Sequence, residues 1–305
     1  MNRLGQLIFC FLILFTTAAM AGEYTIGVLA KRGAEGFYER WLMHAAYLEK
    51  ATGDTFIVKP LRFVEIEPAV AAGDIDFLLT NSSMYVSMKV KYNARAIATM
   101  VNNTEHGIKI SQFGGVIFTS NASTGINTLA DVKGKTFIAV KKASLGGYQM
   151  ALKEFKDHDI ALPEVVANLE FANTHDKVVQ EVLSRPGVIG TIRTNILESM
   201  VLLGTINMQD IKILNQKKTG NFPYILSTAL YPEWPMVALA KTDKRIAQKV
   251  ANTLKQIRSN DLAAEMAGIA GWRATLDYSK LEIMLRTIGI LAPVQLNTDI
   301  PAVDS

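Results

Sequence analysis

Ser144, Gly146 and Gly147 are spaced in a way that could hold an anion. The apolar run Thr136–Val140 before them reads as a buried strand. After them, Tyr148, Leu152 and Phe155 recur at helical spacing. The stretch Lys141–Tyr148 is therefore a strand-to-helix loop, with Ser144 as the helix N-cap. Two glycines let another group approach the backbone closely. A helix start offers N–H donors that the helix does not use, together with the positive end of its dipole, and that chemistry holds oxyanions. The plainer reading is that Ser and Gly suit any turn between a strand and a helix.

Other side chains could complete such a site. His175 opens a predicted helix and is followed by Asp176; it is either a ligand contact or a surface or capping histidine. As a contact it would be more cationic at mildly acidic pH, so anion affinity would depend on pH. Arg193 could fork onto an oxyanion bidentately, or pair with Glu198 or a neighbouring carboxylate. Lys31 and Arg32 follow the first predicted strand and otherwise read as a solvated loop, as do Lys141 and Lys142. Catalytic patterns are missing from the sequence: it has no Gly-x-Ser-x-Gly elbow, no phosphate-binding P-loop and no His-Glu-x-x-His. His44, His106, His158 and His175 have no metal-ligand spacing. The expectation is a binding protein, not an enzyme, with no metal and no cofactor.

These residues need elements to position them. Strands are expected at Glu23–Ala30, Phe56–Phe63, Asp76–Leu79, Ala94–Val101, Gly114–Thr119, Lys135–Val140, Asn168–Ala172, Val188–Ile192, Ile211–Leu214 and Ile225–Leu230. Pro60 inside the second of these points to a sheet edge or a bend. Helices are expected after Phe37, over Glu65–Ala72, after the loop Thr80–Ser83 with Met84, Tyr85 and Met88 along it, and over Gly147–His158, Thr174–Leu183, Ile196–Leu203, Arg245–Ile257, Asp261–Ala270 and Leu281–Ile288. Trp41 lies on an apolar helix face and reads as core. Alternating strands and helices give an α/β fold with parallel sheets flanked by helices. Ligands bind such sheets outside the carboxyl ends of the strands. The loops Ala30–Gly33, Thr80–Ser83 and Val140–Gly147 leave such ends. The length favours two lobes, the first closing near Ser111 and the second near Asn221, with the last helices returning to the first lobe. The ligand would then sit in the cleft between them.

The first twenty-one residues read as a signal peptide, with Arg3, an apolar run from Leu7 to Phe15, and Ala19-Met20-Ala21 as the cleavage site. Cleavage is expected after Ala21. The one cysteine, Cys10, leaves with this leader. Export without disulfides fits a bacterial periplasm, with no stable membrane insertion after cleavage. Loss of Arg3 lowers the formal charge from +4 to +3. That weak basic balance is compatible with an anionic ligand. Long basic runs and aromatic-basic interleaving are absent, so nucleic acid is set aside.

Six segments in this order resemble the phosphonate-binding-like branch of periplasmic solute-binding proteins, which includes sensor regions of some histidine kinases such as tetrathionate sensors. They are Leu129–Lys135, Ser144 with Gly146-Gly147-Tyr148, Thr174–Val179, Gly190–Thr194, Tyr231–Pro235 and Ala267–Trp272. The resemblance runs from about Tyr24 to Leu291. It implies a two-lobed type II periplasmic binding protein fold, with lobe 1 formed by residues 22–112 and 223–305 and lobe 2 by 113–222. It also implies that the loop Ser144–Tyr148 holds an anion, that His175, Thr191 and Arg193 face the cleft, and that Thr80, Asn81, Ser82, Ser83 and Tyr85 complete the site. The implied partner is a membrane sensor histidine kinase or an ABC permease. Two departures stand out. Sensor members often carry Asn-Pro-Gly-His where this chain has Asn81-Ser82-Ser83-Met84. Phosphonate binders carry a run of hydroxyl residues where it has Ala143-Ser144-Leu145. Fewer side-chain donors point to a different anion or a less charged ligand.

Overall fold

The computed structural model describes residues 21–30, 37–105 and 107–293. The signal-peptide expectation for residues 1–20, and the loop carrying Lys31 and Arg32, lie outside the described residues.

The chain opens with β1 (Glu23–Leu29), α1 (Phe37–Thr52), β2 (Thr55–Leu61), α2 (Phe63–Ala72), β3 (Phe77–Leu79), α3 (Ser82–Tyr92) and β4 (Arg95–Asn103). The short strands β5 (Lys109–Ile110) and β6 (Gln112–Phe113) follow. Next come β7 (Gly115–Ser120), β8 (Thr136–Ala139), α4 (Met150–Lys156), β9 (Asn168–Phe171), α5 (His175–Ser184), β10 (Val188–Arg193), α6 (Ile196–Leu202) and β11 (Ile211–Leu214). The last part comprises β12 (Tyr231–Pro232), β13 (Pro235–Ala238), α7 (Lys244–Leu254), α8 (Leu262–Ala267), β14 (Gly271–Arg273) and α9 (Ser279–Thr287).

Two large sheets result. One runs β14-β4-β13-β3-β1-β2 with β5 on β4, the other β11-β7-β10-β8-β9. A two-stranded ribbon of β6 and β12 lies where the chain passes from one to the other and back. β2 is an edge strand, as Pro60 predicts, because proline has no N–H to give an outer neighbour.

The sheets are mixed, which corrects the expectation of parallel ones. β1 pairs in parallel with β2 and β3, and β8 with β9 and β10. β13, however, returns from the far lobe and inserts antiparallel between β3 and β4, and β7 runs antiparallel to β10 and β11. β13 is a further correction. Prolines on either side of Glu233-Trp234 hide the buried run Met236-Val237-Ala238, which carries no polar alternation to reveal it. Nor is there a strand over Ile225–Leu230, where only an isolated bridge joins Leu226 to Lys217. Hydroxyls replace the ladder there: the Ile117 N–H donates to Ser227 Oγ at 3.0 Å and the Gly115 N–H to Thr228 Oγ1 at 2.8 Å.

Each sheet is covered on both faces. Trp41, Leu48, Val250 and Leu254 pack on one face of the first sheet, and Ile66, Val86, Met88 and Leu285 on the other. Phe137, Phe155 and Ile189 cover one face of the second, and Phe118, Val179 and Ile192 the other. Alternate residues of β7 therefore feed opposite cores, Ile117 one and Val116 and Phe118 the other. Fully burying such a side chain contributes about 1.5–3 kcal/mol.

One buried polar group makes this core sensitive to pH. His44 Nε2 accepts the Trp272 indole N–H at 3.1 Å in the core beneath α1. Burial pushes its pKa down to about 4. A neutral native histidine facing an ordinary one in the unfolded chain gives a stability that is complete above about pH 6.5 and is lost as pH falls towards 4. The loss should reach about 3 kcal/mol. Urea melts at pH 7 and pH 4.5 will show it, and His44→Gln, which keeps an acceptor for Trp272, should remove most of the difference.

Candidate functional site

The loops at the carboxyl ends of β3 and β8 meet. Asn81 caps α3, its Oδ1 accepting the Met84 N–H at 2.9 Å. The same side chain donates from Nδ2 to the Ala143 carbonyl at 3.2 Å. One asparagine thus starts a helix under the first sheet and ties it to the loop leaving the second. Lys141 adds a second tie, its Nζ lying 5.6 Å from the ring centre of Phe63 at the start of α2.

Ser144 is an N-cap, as its type and position predict. Its Oγ accepts the Gly147 N–H at 3.2 Å. The helix opens with a π turn over Leu145–Gln149 and continues as α4. The glycines serve close approach. A Cβ on Gly146 would lie 2.7 Å from Arg193 Cβ and 2.9 Å from Phe113 Cε2. On Gly147 it would lie 2.5 Å from Val140 Cγ2 and 2.7 Å from Ser144 Oγ.

Arg193, the last residue of β10, is the electrostatic centre of the site. Its Nη2 donates to Glu233 Oε1 at 2.7 Å, and its guanidinium lies 4.4 Å from the ring centre of Phe113. The Arg193 backbone N–H donates to His175 Nδ1 at 3.3 Å. With Nδ1 accepting, the neutral imidazole carries its proton on Nε2. The carboxylate that pairs with Arg193 is Glu233, in the turn between β12 and β13. Glu198 instead accepts the Ile225 N–H at 2.7 Å.

Glu233 is fully buried. Ser82 Oγ donates to its carbonyl at 3.1 Å and Tyr278 Oη at 2.8 Å. The start of α3 and Tyr278 therefore hold the main chain of the Glu233 turn, while Arg193 at the end of β10 pairs with its side chain. In the sequence, Glu233 stands within Tyr231–Pro235 with no role marked for it; a lone carboxylate among Tyr, Pro and Trp is the signal, since a charge in such surroundings must be paired.

The remaining candidates are placed as follows. Thr80 and Thr191 are fully buried, and their hydroxyls, like Glu233 Oε2, find no partner among the described residues. Ser83 is buried in the first turn of α3. Tyr85 and Tyr148 are held by packing: Tyr85 stands edge-on to Tyr278 at 4.9 Å, and Tyr148 edge-on to Phe171 at 5.3 Å. Burial raises the pKa of both phenols. Concavities of about 660 and 490 Å³ lie away from this meeting point. Among the described residues, three or more His, Cys, Asp or Glu nowhere gather as a metal site, and no helix is long and apolar enough to cross a membrane.

Two α/β lobes joined by a ribbon, with the ends of their strands turned towards each other, define a two-lobed periplasmic binding protein. The model of one family, the ABC transporter, phosphonate, periplasmic substrate-binding protein, matches residues 26–278, and the chain belongs to that family. It is 29% identical over 272 residues to the tetrathionate sensor histidine kinase TtrS of Salmonella typhimurium. That match takes in 88% of this chain and 44% of the kinase, so the chain spans less than half the length of this relative. Among solved structures, PhnD1 from Prochlorococcus marinus in complex with methylphosphonate has a TM-score of 0.69 at 12% identity, covering 88% of this chain and 99% of that one. XAC2383 from Xanthomonas citri bound to ATP has a TM-score of 0.68 at 14% identity, covering 90% and 100%. At these identities the structural likeness concerns the fold. Family and fold are those of binding proteins rather than enzymes.

Proposed function

We propose that this protein is a periplasmic solute-binding protein that closes on a small oxyanion, of the phosphonate, phosphite or sulfur-oxyanion class, and presents the closed form to a membrane sensor kinase. The observation that carries the reading is the meeting of the Asn81 and Ser144 helix starts across two lobes, beside Arg193 and His175. Both helix starts offer N–H donors to an anion, and a ligand touching both lobes binds only when they are together, which biases a hinge. The lobes comprise residues 22–112 with 223–305, and 113–222. The division of strands between the two sheets supports this, and the β6–β12 ribbon is the natural hinge. Arg193 is already paired with Glu233, so binding an anion requires the ligand to share or replace that carboxylate.

The kinase as partner rests on the match to the tetrathionate sensor. The substrate-binding component of an ABC uptake system is the second reading, favoured by the family's description. Chemical cross-linking in native membranes, followed by mass spectrometry of the captured partner, separates the two. The protein isolated from a periplasmic fraction should begin at Gly22. Calorimetry of that form against methylphosphonate, phosphite, sulfite, thiosulfate and tetrathionate should give heat and a thermal shift with at least one anion. Silence with all of them would sink the anion reading.

A further inference from the structure

A second concavity, of about 660 Å³, opens at the far edge of the first sheet, beside β14 and the turn between α7 and α8. Its charged lining residues are Lys109, Lys255 and Arg258, all cations. They come from separate places: Lys109 from β5, Lys255 from just beyond α7, and Arg258 from the turn before α8. A lysine after a helix end offsets the helix dipole, which accounts for Lys255 but not for the other two.

None of the three side chains forms a hydrogen bond or ion pair with the described residues. The acids nearest in sequence are committed elsewhere. Glu105 accepts from Ser199 Oγ at 3.1 Å and Tyr224 Oη at 3.0 Å. Asp261 accepts the Arg258 backbone N–H at 2.7 Å. Three like charges around one hollow repel each other unless an anion joins them. The floor is of a different kind. Trp272, Ile257 and Ala270 line it and are nearly buried. The Trp272 indole N–H is held by His44, so the ring offers its apolar surface there. A pocket with an apolar floor and a few polar groups at its rim matches a small-molecule site.

We propose that this hollow is a second anion site, separate from the cleft, taking a phosphate monoester or diester whose apolar part rests on Trp272 and Ile257 while the phosphate meets Lys109, Lys255 and Arg258. Such a phosphate comes either from a soluble ester or from a phospholipid headgroup, and the lipid would seat the first lobe on a membrane surface.

The test uses the protein without its predicted leader and the Trp272 indole N–H resonance. Titration with phenyl phosphate and with inorganic phosphate samples soluble sources. Flotation with phosphatidylglycerol vesicles, against neutral phosphatidylcholine vesicles, samples the lipid. A saturable shift at Trp272 with phenyl phosphate, or flotation with the anionic vesicles alone, is the expected result, and which arm responds names the source. The double variant Lys255→Glu/Arg258→Glu should weaken that binding by about tenfold or more, the loss of one or two charge-assisted hydrogen bonds. Lys109→Glu should weaken it less. All three positions are exposed, so the variants fold, and a Gly147→Val change in the cleft loop should leave this binding intact. No saturable response to any probe, or a response unmoved by the charge reversals, would overturn the proposal.

Discussion

Replacing Arg193 with alanine should lower the free energy of unfolding by about 3–5 kcal/mol, the cost of leaving a buried charge without its partner. Glu233 supplies that charge. Its side chain is 1% exposed, against 17% for Arg193, so water cannot substitute for the lost guanidinium. The Phe113 ring also loses the cation above it, a contact of about 1 kcal/mol. Removing both charges is a different experiment. Buried ion pairs gain little over apolar groups of the same size because desolvation offsets their attraction. The double variant Arg193→Met/Glu233→Met should therefore recover most of the stability while losing anion binding. Denaturant melts of Arg193→Met, Glu233→Met and the double give the coupling directly. A single variant within about 1 kcal/mol of the parent would show that the pair is solvated and that the site is not built around it.

The second large effect falls on the loop Lys141–Tyr148. Gly147→Val puts a Cβ 2.5 Å from Val140 Cγ2 and 2.7 Å from Ser144 Oγ, the atom that caps the helix through the Gly147 N–H. Neither neighbour can yield cheaply, because Val140 is buried and Ser144 is held by its own cap. Overpacking of this kind costs about 1–3 kcal/mol. It also turns the N–H groups of the helix start away from any bound oxyanion. Affinity for that anion should fall about 10- to 100-fold, matching the loss of one or two charge-assisted hydrogen bonds. Ser144→Ala is the milder control. It removes one cap, worth about 1 kcal/mol, without filling space, and should reduce affinity less. Equal affinities for the parent and Gly147→Val, measured on protein shown to be folded, would mean that the ligand does not touch this loop.

Much of the site was legible because capping chemistry is local. Ser144 bonds the N–H three residues ahead, so type and spacing are enough to place it, and Asn81 and Thr174 cap their helices in the same way. Pro60 pointed to an edge or a bend for an equally local reason, its missing N–H, and the strand lies at the edge. The apolar faces of the helices carrying Trp41 and Phe155 were visible as periodicity, and both residues are core.

What the sequence could not supply is every relation that crosses between lobes. Arg193 and Glu233 stand forty residues apart, and which carboxylate wins an arginine depends on where two strands and a ribbon place them. The nearer Glu198 lies on α6, where it is drawn to the Ile225 amide. β13 was hidden for a related reason. A strand buried on both faces and entering antiparallel from another lobe shows no alternation, and its direction is set by the path of the chain rather than by its residues. The same is true of the second hollow, whose three cations come from three elements and become one site only when the first sheet is assembled. By itself, then, the sequence determined the Ser144 helix start, most strands and helices and the apolar faces that become core, since these follow from hydrogen bonds and burial within a few residues. Only the tertiary structure decided how charge is paired across the lobes, because that depends on distances no local pattern encodes.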